Sequence, residues 1–197
     1  MMTVRHIERL WEAKSYGRLI HDLLVARPES GSRTETELGR AIPATAMAMI
    51  RLDELSQSAV PLYGRLLRTL LNDQHADGGW GDPMVTALCL RALLCGAGNG
   101  SAIERGLTYL TNLQKPEGIW PSEPIRRLPA DPYVSAFILL QLGQHGQFRS
   151  AVRFFEGLNW FEKHESELEP AAMKLWERAS LRCGRRTAAA NQAHLWS

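Results

Sequence analysis

The sequence predicts an all-α chain of about four helical hairpins, and three observations carry the prediction. Gln74-His75-Ala76-Asp77-Gly78-Gly79-Trp80 returns forty residues later as Gln114-Lys115-Pro116-Glu117-Gly118-Ile119-Trp120, so Gln, Gly and Trp keep one spacing, Q-x-x-x-G-x-W. A fixed period of about 20 to 50 residues marks stacked supersecondary units, none of which can bury its apolar face alone. Amphipathic and wholly apolar segments alternate between and around these copies, and no strand signal rises above them.

Taken in order, amphipathic segments over roughly residues 4–26, 58–73, 101–113 and 147–160 read as outer helices. In the second, Leu66, Leu67, Leu70 and Leu71 share a face while Arg65 and Arg68 lie off it. The partner helices start near Pro43, Pro83, Pro132 and Pro170. Two of them, Val85 to Leu94 and Val134 to Leu142, are apolar nearly all round, which is the mark of a buried inner helix. Asp82-Pro83 and Asp131-Pro132 place an N-cap acid before a proline at the first helical position, and Glu169-Pro170 is a weaker version. Gly96 and Gly98 end one inner helix, Gly143 and Gly146 another.

Two further copies are worn. Tyr16-Gly17-Arg18-Leu19-Ile20 recurs as Tyr63-Gly64-Arg65-Leu66-Leu67, which puts Arg27, Gly31 and Arg33 in the places of Gln74, Gly78 and Trp80. Downstream, Arg149 to Phe155 falls in the register of Glu104 to Leu110, followed by a run without the glycine or a correctly spaced Trp. The organisation expected is a repeat domain over residues 1–181 and a tail or extra helix over 182–197.

Composition narrows the function classes. The 197 residues suit one domain, and a net charge of +2 gives no electrostatic reason to expect nucleic acid. Cys89, Cys95 and Cys183 form no CxxC pair and read as reduced core thiols. No apolar run approaches the roughly 18 residues of a membrane span, and Arg5, His6, Glu8 and Arg9 interrupt any signal-peptide core. The expected compartment is the cytoplasm.

The motif after an outer helix, followed by an inner helix opening with Thr86-Ala87 or Ser135-Ala136, resembles the repeats of squalene-hopene and oxidosqualene cyclases and of the protein prenyltransferase β subunits. That resemblance implies an α/α toroid in which the Gln and Trp of each motif, here Gln74, Trp80, Gln114 and Trp120, tie adjacent hairpins together. Four hairpins are fewer than a complete ring of that family has, so the chain is expected to form an open arc or to close by association with a second copy. The resemblance also implies a hydrophobic polyprenyl or polyene molecule as partner, with cyclisation as the activity; the alternative is a non-catalytic module binding a hydrophobic ligand or a protein.

The catalytic signatures of those relatives are incomplete. Against the cyclases' Asp-x-Asp-Asp-Thr-Ala the chain reads Asp82-Pro83-Met84-Val85-Thr86-Ala87 and Asp131-Pro132-Tyr133-Val134-Ser135-Ala136, so Met84 or Tyr133 holds the proton donor's position. A tyrosine with a pKa of about 10 does not protonate an isolated alkene. The zinc-binding Asp-x-Cys and the ligand His of the prenyltransferases are absent; Val134 stands where that His would be. His6, His21, His75, His145, His164 and His194 show no ligand spacing, and no Asp-Asp-x-x-Asp cluster occurs, so no metal and no cofactor are expected. Any site is expected where the inner helices begin, with Asp82, Asp131 and Tyr133 as catalytic candidates and Met84, Trp120, Arg126 and Arg127 as substrate contacts. Aromatic faces there would steady a carbocation, and the Arg126-Arg127 pair would hold a diphosphate or carboxylate.

Overall fold

The computed structural model describes residues 35–96 and 100–184; the outer helix expected near the amino terminus, the worn copy at Arg27, Gly31 and Arg33, Gly98 and the tail past Gly184 lie outside the described residues. Eight α-helices make up the described chain: α1 Glu35–Glu54, α2 Pro61–Asn72, α3 Pro83–Cys95, α4 Gly100–Leu113, α5 Pro132–Leu142, α6 Gly146–Ala151, α7 Phe154–His164 and α8 Pro170–Arg182. No strand occurs among the described residues; an isolated antiparallel bridge joins Pro121 to Ala130. All three cysteines are free, and Cys89 and Cys183 are buried.

Helix α1 and the helices headed by Pro83, Pro132 and Pro170 pack in chain order: α1 on α3, α3 on α5, α5 on α8. Amphipathic α2 lies against α1, and α4 against α3. Composition explains the layering. Every residue of α3 from Pro83 to Leu93 is buried, and so is α5 from Val134 to Leu140, whereas α2 buries only Tyr63, Leu66 and Leu70 and turns Arg65 and Arg68 to solvent. The last helix departs from the inner pattern, since α8 buries Ala172, Leu175, Trp176 and Ala179 but exposes Lys174, Arg178 and Leu181.

Two boundaries differ from the sequence reading. Helix α1 starts at Glu35 and runs through Pro43, which was expected to head it. Proline there forfeits one backbone hydrogen bond, and the burial of every residue from Ile42 to Ile50 offsets the loss. The outer helix expected over roughly 147–160 is broken into α6 and α7, with Val152 extended between them (φ −112°, ψ 167°). Gln114 makes the break favourable: its Oε1 accepts from Arg153 N at 2.8 Å while its Nε2 donates to Arg153 O at 3.3 Å.

The break also moves the register of the last copy. Gly78 rests against the backbone of Arg105, just before Gly106, and Gly118 rests against Glu156 and Gly157 in the same way. Gly106-Leu107-Thr108-Tyr109-Leu110 therefore corresponds to Gly157-Leu158-Asn159-Trp160-Phe161, and the alignment of Arg149 to Phe155 with Glu104 to Leu110 is wrong. The short helix α6 is an insertion. On Phe161, in Leu110's place, stacks Trp176 from inside α8 (4.7 Å, 14°), so an inner-helix indole fills space against a helix that no motif Trp follows.

One charged residue interrupts the apolar inner layer. Arg91 in α3 is 9% exposed, donates from Nη1 to Gln141 Oε1 in α5 at 2.7 Å, and pairs through Nη2 with Glu54 Oε1 at the end of α1 at 3.1 Å. Arg51 reaches the same carboxylate at 3.0 Å. Desolvation leaves such a pair little net stability, but a slip of α1 against α3 would strand a charge and a slip of α5 would break the Gln141 bond, so the contact opposes both.

Candidate functional site

The two intact motifs build the heads of α3 and α5 by the same hydrogen bonds. Gln74 Nε2 donates to Gly78 O at 2.8 Å and, across to α4, to Ala102 O at 2.9 Å; Gln114 Nε2 donates to Gly118 O at 2.9 Å and to Arg153 O. Gly78 and Gly118 turn the chain at φ of 92° and 85°, a region that disfavours side chains. Trp80 and Trp120 then plunge inward, sending Nε1 back to Leu70 O at 2.7 Å and Leu110 O at 2.8 Å. Their backbone N–H groups donate to Thr86 Oγ1 and Ser135 Oγ, which gives those hydroxyls, buried in apolar helices, their partners.

The acids complete the turn. Asp82 Oδ1 accepts from Met84 N at 2.8 Å and Val85 N at 2.9 Å, and Asp131 Oδ1 from Tyr133 N at 2.8 Å and Val134 N at 3.2 Å. Glu169 at the head of α8 makes no side-chain cap bond; its carboxylate is one methylene further from the backbone than an aspartate's. Burial raises the Asp82 carboxyl above the usual aspartate range, and the N–H bonds from Val85 and Met84 pull it back part of the way.

A carboxyl raised by folding stabilises the fold below its unfolded-state pKa, and that contribution disappears as pH rises through the folded value. Asparagine caps about as well as aspartate without the buried charge. Asp82→Asn is therefore expected to be the more stable protein at neutral pH, with an advantage that shrinks as pH falls through the raised folded value toward about 4. Thermal unfolding across a pH series measures this. A variant less stable at neutral pH would show that attraction between the charge and the helix amino terminus outweighs burial.

Beside the head of α5 lies a groove of about 470 Å³. One wall is the loop before α5, with Ser122, Leu128, Ala130, Asp131 and Tyr133; the other is the turn before α8, with Glu167, Leu168, Glu169 and Ala172. Of the residues proposed from sequence, Asp131 and Tyr133 come together here. Asp82 and Met84 sit at the head of α3, outside the groove lining, and Met84 is buried. Trp120 is wholly buried beneath, stacked on Phe148 at 6.1 Å. Arg126 and Arg127 are exposed on the loop and do not line the groove, whose flanking charges are carboxylates.

Sequence reasoning missed the Glu167 to Ala172 wall. Its signal was present in the run Glu165-Ser166-Glu167-Leu168-Glu169 before a helix-starting proline, read only as a boundary. Chemically the groove offers apolar side chains, one phenol and three carboxylates, those of Asp131, Glu167 and Glu169. Among the described residues no three His, Cys, Asp or Glu side chains converge as a metal site would require, and no helix is long and apolar enough to cross a membrane.

No family model and no solved structure matches the chain. A curated relative does: the drimenyl diphosphate synthase of Streptantibioticus cattleyicolor is 35% identical over 77 residues, which cover 36% of this chain and 14% of that protein. The matched part is thus a small share of the relative's length.

Proposed function

We propose that this chain is a terpene-cyclase-like protein that takes a hydrophobic polyprenyl or polyene molecule into the groove at the head of α5. The observation that carries the reading is the groove itself, lined by Leu128, Leu168 and Ala172 for an apolar body and by Tyr133. The likeness to a diphosphate synthase of drimenyl type supports the same chemical class. In this reading the inner helices α1, α3, α5 and α8 are consecutive members of an α/α toroid, left open or closed by a second copy.

Whether the bound molecule is also cyclised turns on Asp131. Its Oδ1 is engaged by two helix N–H groups, so the side chain already serves as the N-cap of α5, a structural role that requires no chemistry. That observation favours binding without chemistry as the second reading. A cyclase would have to use Asp131 with Tyr133, since Met84 holds the other donor position.

Asp131→Asn separates the readings, because the cap survives and the carboxylate does not. The variant is expected to keep its unfolding free energy within about 0.5 kcal/mol of the parent's and to bind a farnesyl chain as the parent does. If the parent cyclises a C15 prenyl diphosphate or a linear polyene, as read by mass spectrometry of extracted products, Asp131→Asn should lose that product. Undiminished product in Asp131→Asn rejects the catalytic assignment, and failure of the parent to bind either molecule rejects the function altogether.

A further inference from the structure

We propose that residues 122–129 form a strap that closes over the groove by pairing Arg126 and Arg127 with Glu167 and Glu169. The strap would enclose the ligand of the function proposed above, and so rests on that reading, but its closure is a property of the chain alone.

The loop is built to move as one piece on a fixed neck. Where a single residue, Gly81, links Trp80 to Asp82, ten residues link Trp120 to Asp131. Both feet are held: Pro121 bridges Ala130, Asp131 N donates to Trp120 O at 2.8 Å, and Trp120 is wholly buried. The tip keeps its own shape through Leu128 N to Ile125 O at 3.0 Å and Ile125 N to Glu123 O at 2.7 Å. Every residue from Ser122 to Arg127 is exposed, and an exposed bond from Lys115 Nζ to Arg126 O ties the tip to the body.

The two walls carry opposite charge. On the strap, Arg126 and Arg127 outnumber Glu123, and across the groove stand Glu167 and Glu169, both exposed and neither in a salt bridge among the described residues. Leu128 already lines the same groove as Glu167 and Glu169, so its neighbour Arg127 has to swing rather than travel. Exposed pairs are worth little on their own. An apolar ligand that displaces water from between the walls strengthens them, because the same charges then interact across a lower dielectric. Occupancy and closure therefore favour each other.

The test reverses charge. Arg126→Glu with Arg127→Glu, Glu167→Arg with Glu169→Arg, and the fourfold combination are compared with the parent by hydrogen exchange of the 122–129 amides at low salt, without ligand. Each double variant should speed exchange in the strap severalfold, and the combination should restore it; the difference should fade at high salt. Release of bound farnesyl diphosphate, followed by tryptophan fluorescence, should change in the same order. Unchanged strap exchange in the double variants, or no recovery in the combination, overturns the strap. Should the exchange pattern hold while farnesyl diphosphate binds no variant, the strap stands and the proposed ligand class falls.

Discussion

Trp120→Ala is expected to lower stability by about 3–5 kcal/mol, the range for truncating a fully buried tryptophan. The indole is wholly buried and stacked on Phe148, and its Nε1 satisfies Leu110 O inside the preceding outer helix. Truncation opens a cavity between α4 and α5 and leaves that carbonyl without its indole donor. The effect should also loosen the head of α5, because the same residue's N–H binds Ser135 and its carbonyl takes Asp131 N. Urea unfolding with the slope held in common measures the loss. A shift under about 1 kcal/mol would mean that the surroundings collapse onto the space, or that the motif is not a staple.

Gly118→Ala should be about as damaging, at roughly 3 kcal/mol or more, for a different reason. A Cβ at residue 118 would lie 2.6 Å from Gly157 Cα and 2.7 Å from the Glu156 carbonyl carbon. These are backbone atoms of another helix, which cannot rotate away as a side chain can. The φ of 85° adds strain for any L residue. Gly64→Ala is the matched control: nothing lies within 4 Å of its added methyl, and alanine favours a helix by about 1 kcal/mol over glycine, so this variant should be neutral or stabilised. Equal destabilisation of the two would contradict the contact between residues 118 and 157.

The features that could be read from sequence are those encoded within one short window. The paired motifs, the Asp-Pro caps and the apolar α3 and α5 each announce themselves in a dozen residues, and the all-helical chain follows from them. What failed was long-range. The alignment of Arg149 to Phe155 with Glu104 to Leu110 falls six residues short because α6 precedes the last copy; the matching pair is Gly106-Leu107-x-Tyr109-Leu110 and Gly157-Leu158-x-Trp160-Phe161. Pro43 reads as a helix start in sequence but lies inside α1, because no local signal tells a tolerated internal proline from an N1 proline. The loop from Trp120 to Asp131 and its arginines were visible as an insertion, but not the acidic turn opposite, which arrives from some forty residues later.

The forward reach of the glutamines has a consequence for synthesis. Gln74 finds its acceptor at Ala102, 28 residues on, and Gln114 at Arg153, 39 residues on. Made from the amino end, each turn leaves the ribosome before the helix it fastens to, and at roughly 5–20 residues per second it waits on the order of seconds for that helix. During the wait the carboxamide is hydrated and the glycine has nothing to pack against. The nascent protein is therefore completed as a ratchet, each hairpin locking only when the following one emerges, and a ribosome stalled between Gln114 and Arg153 would hold a chain whose newest turn is still unlatched.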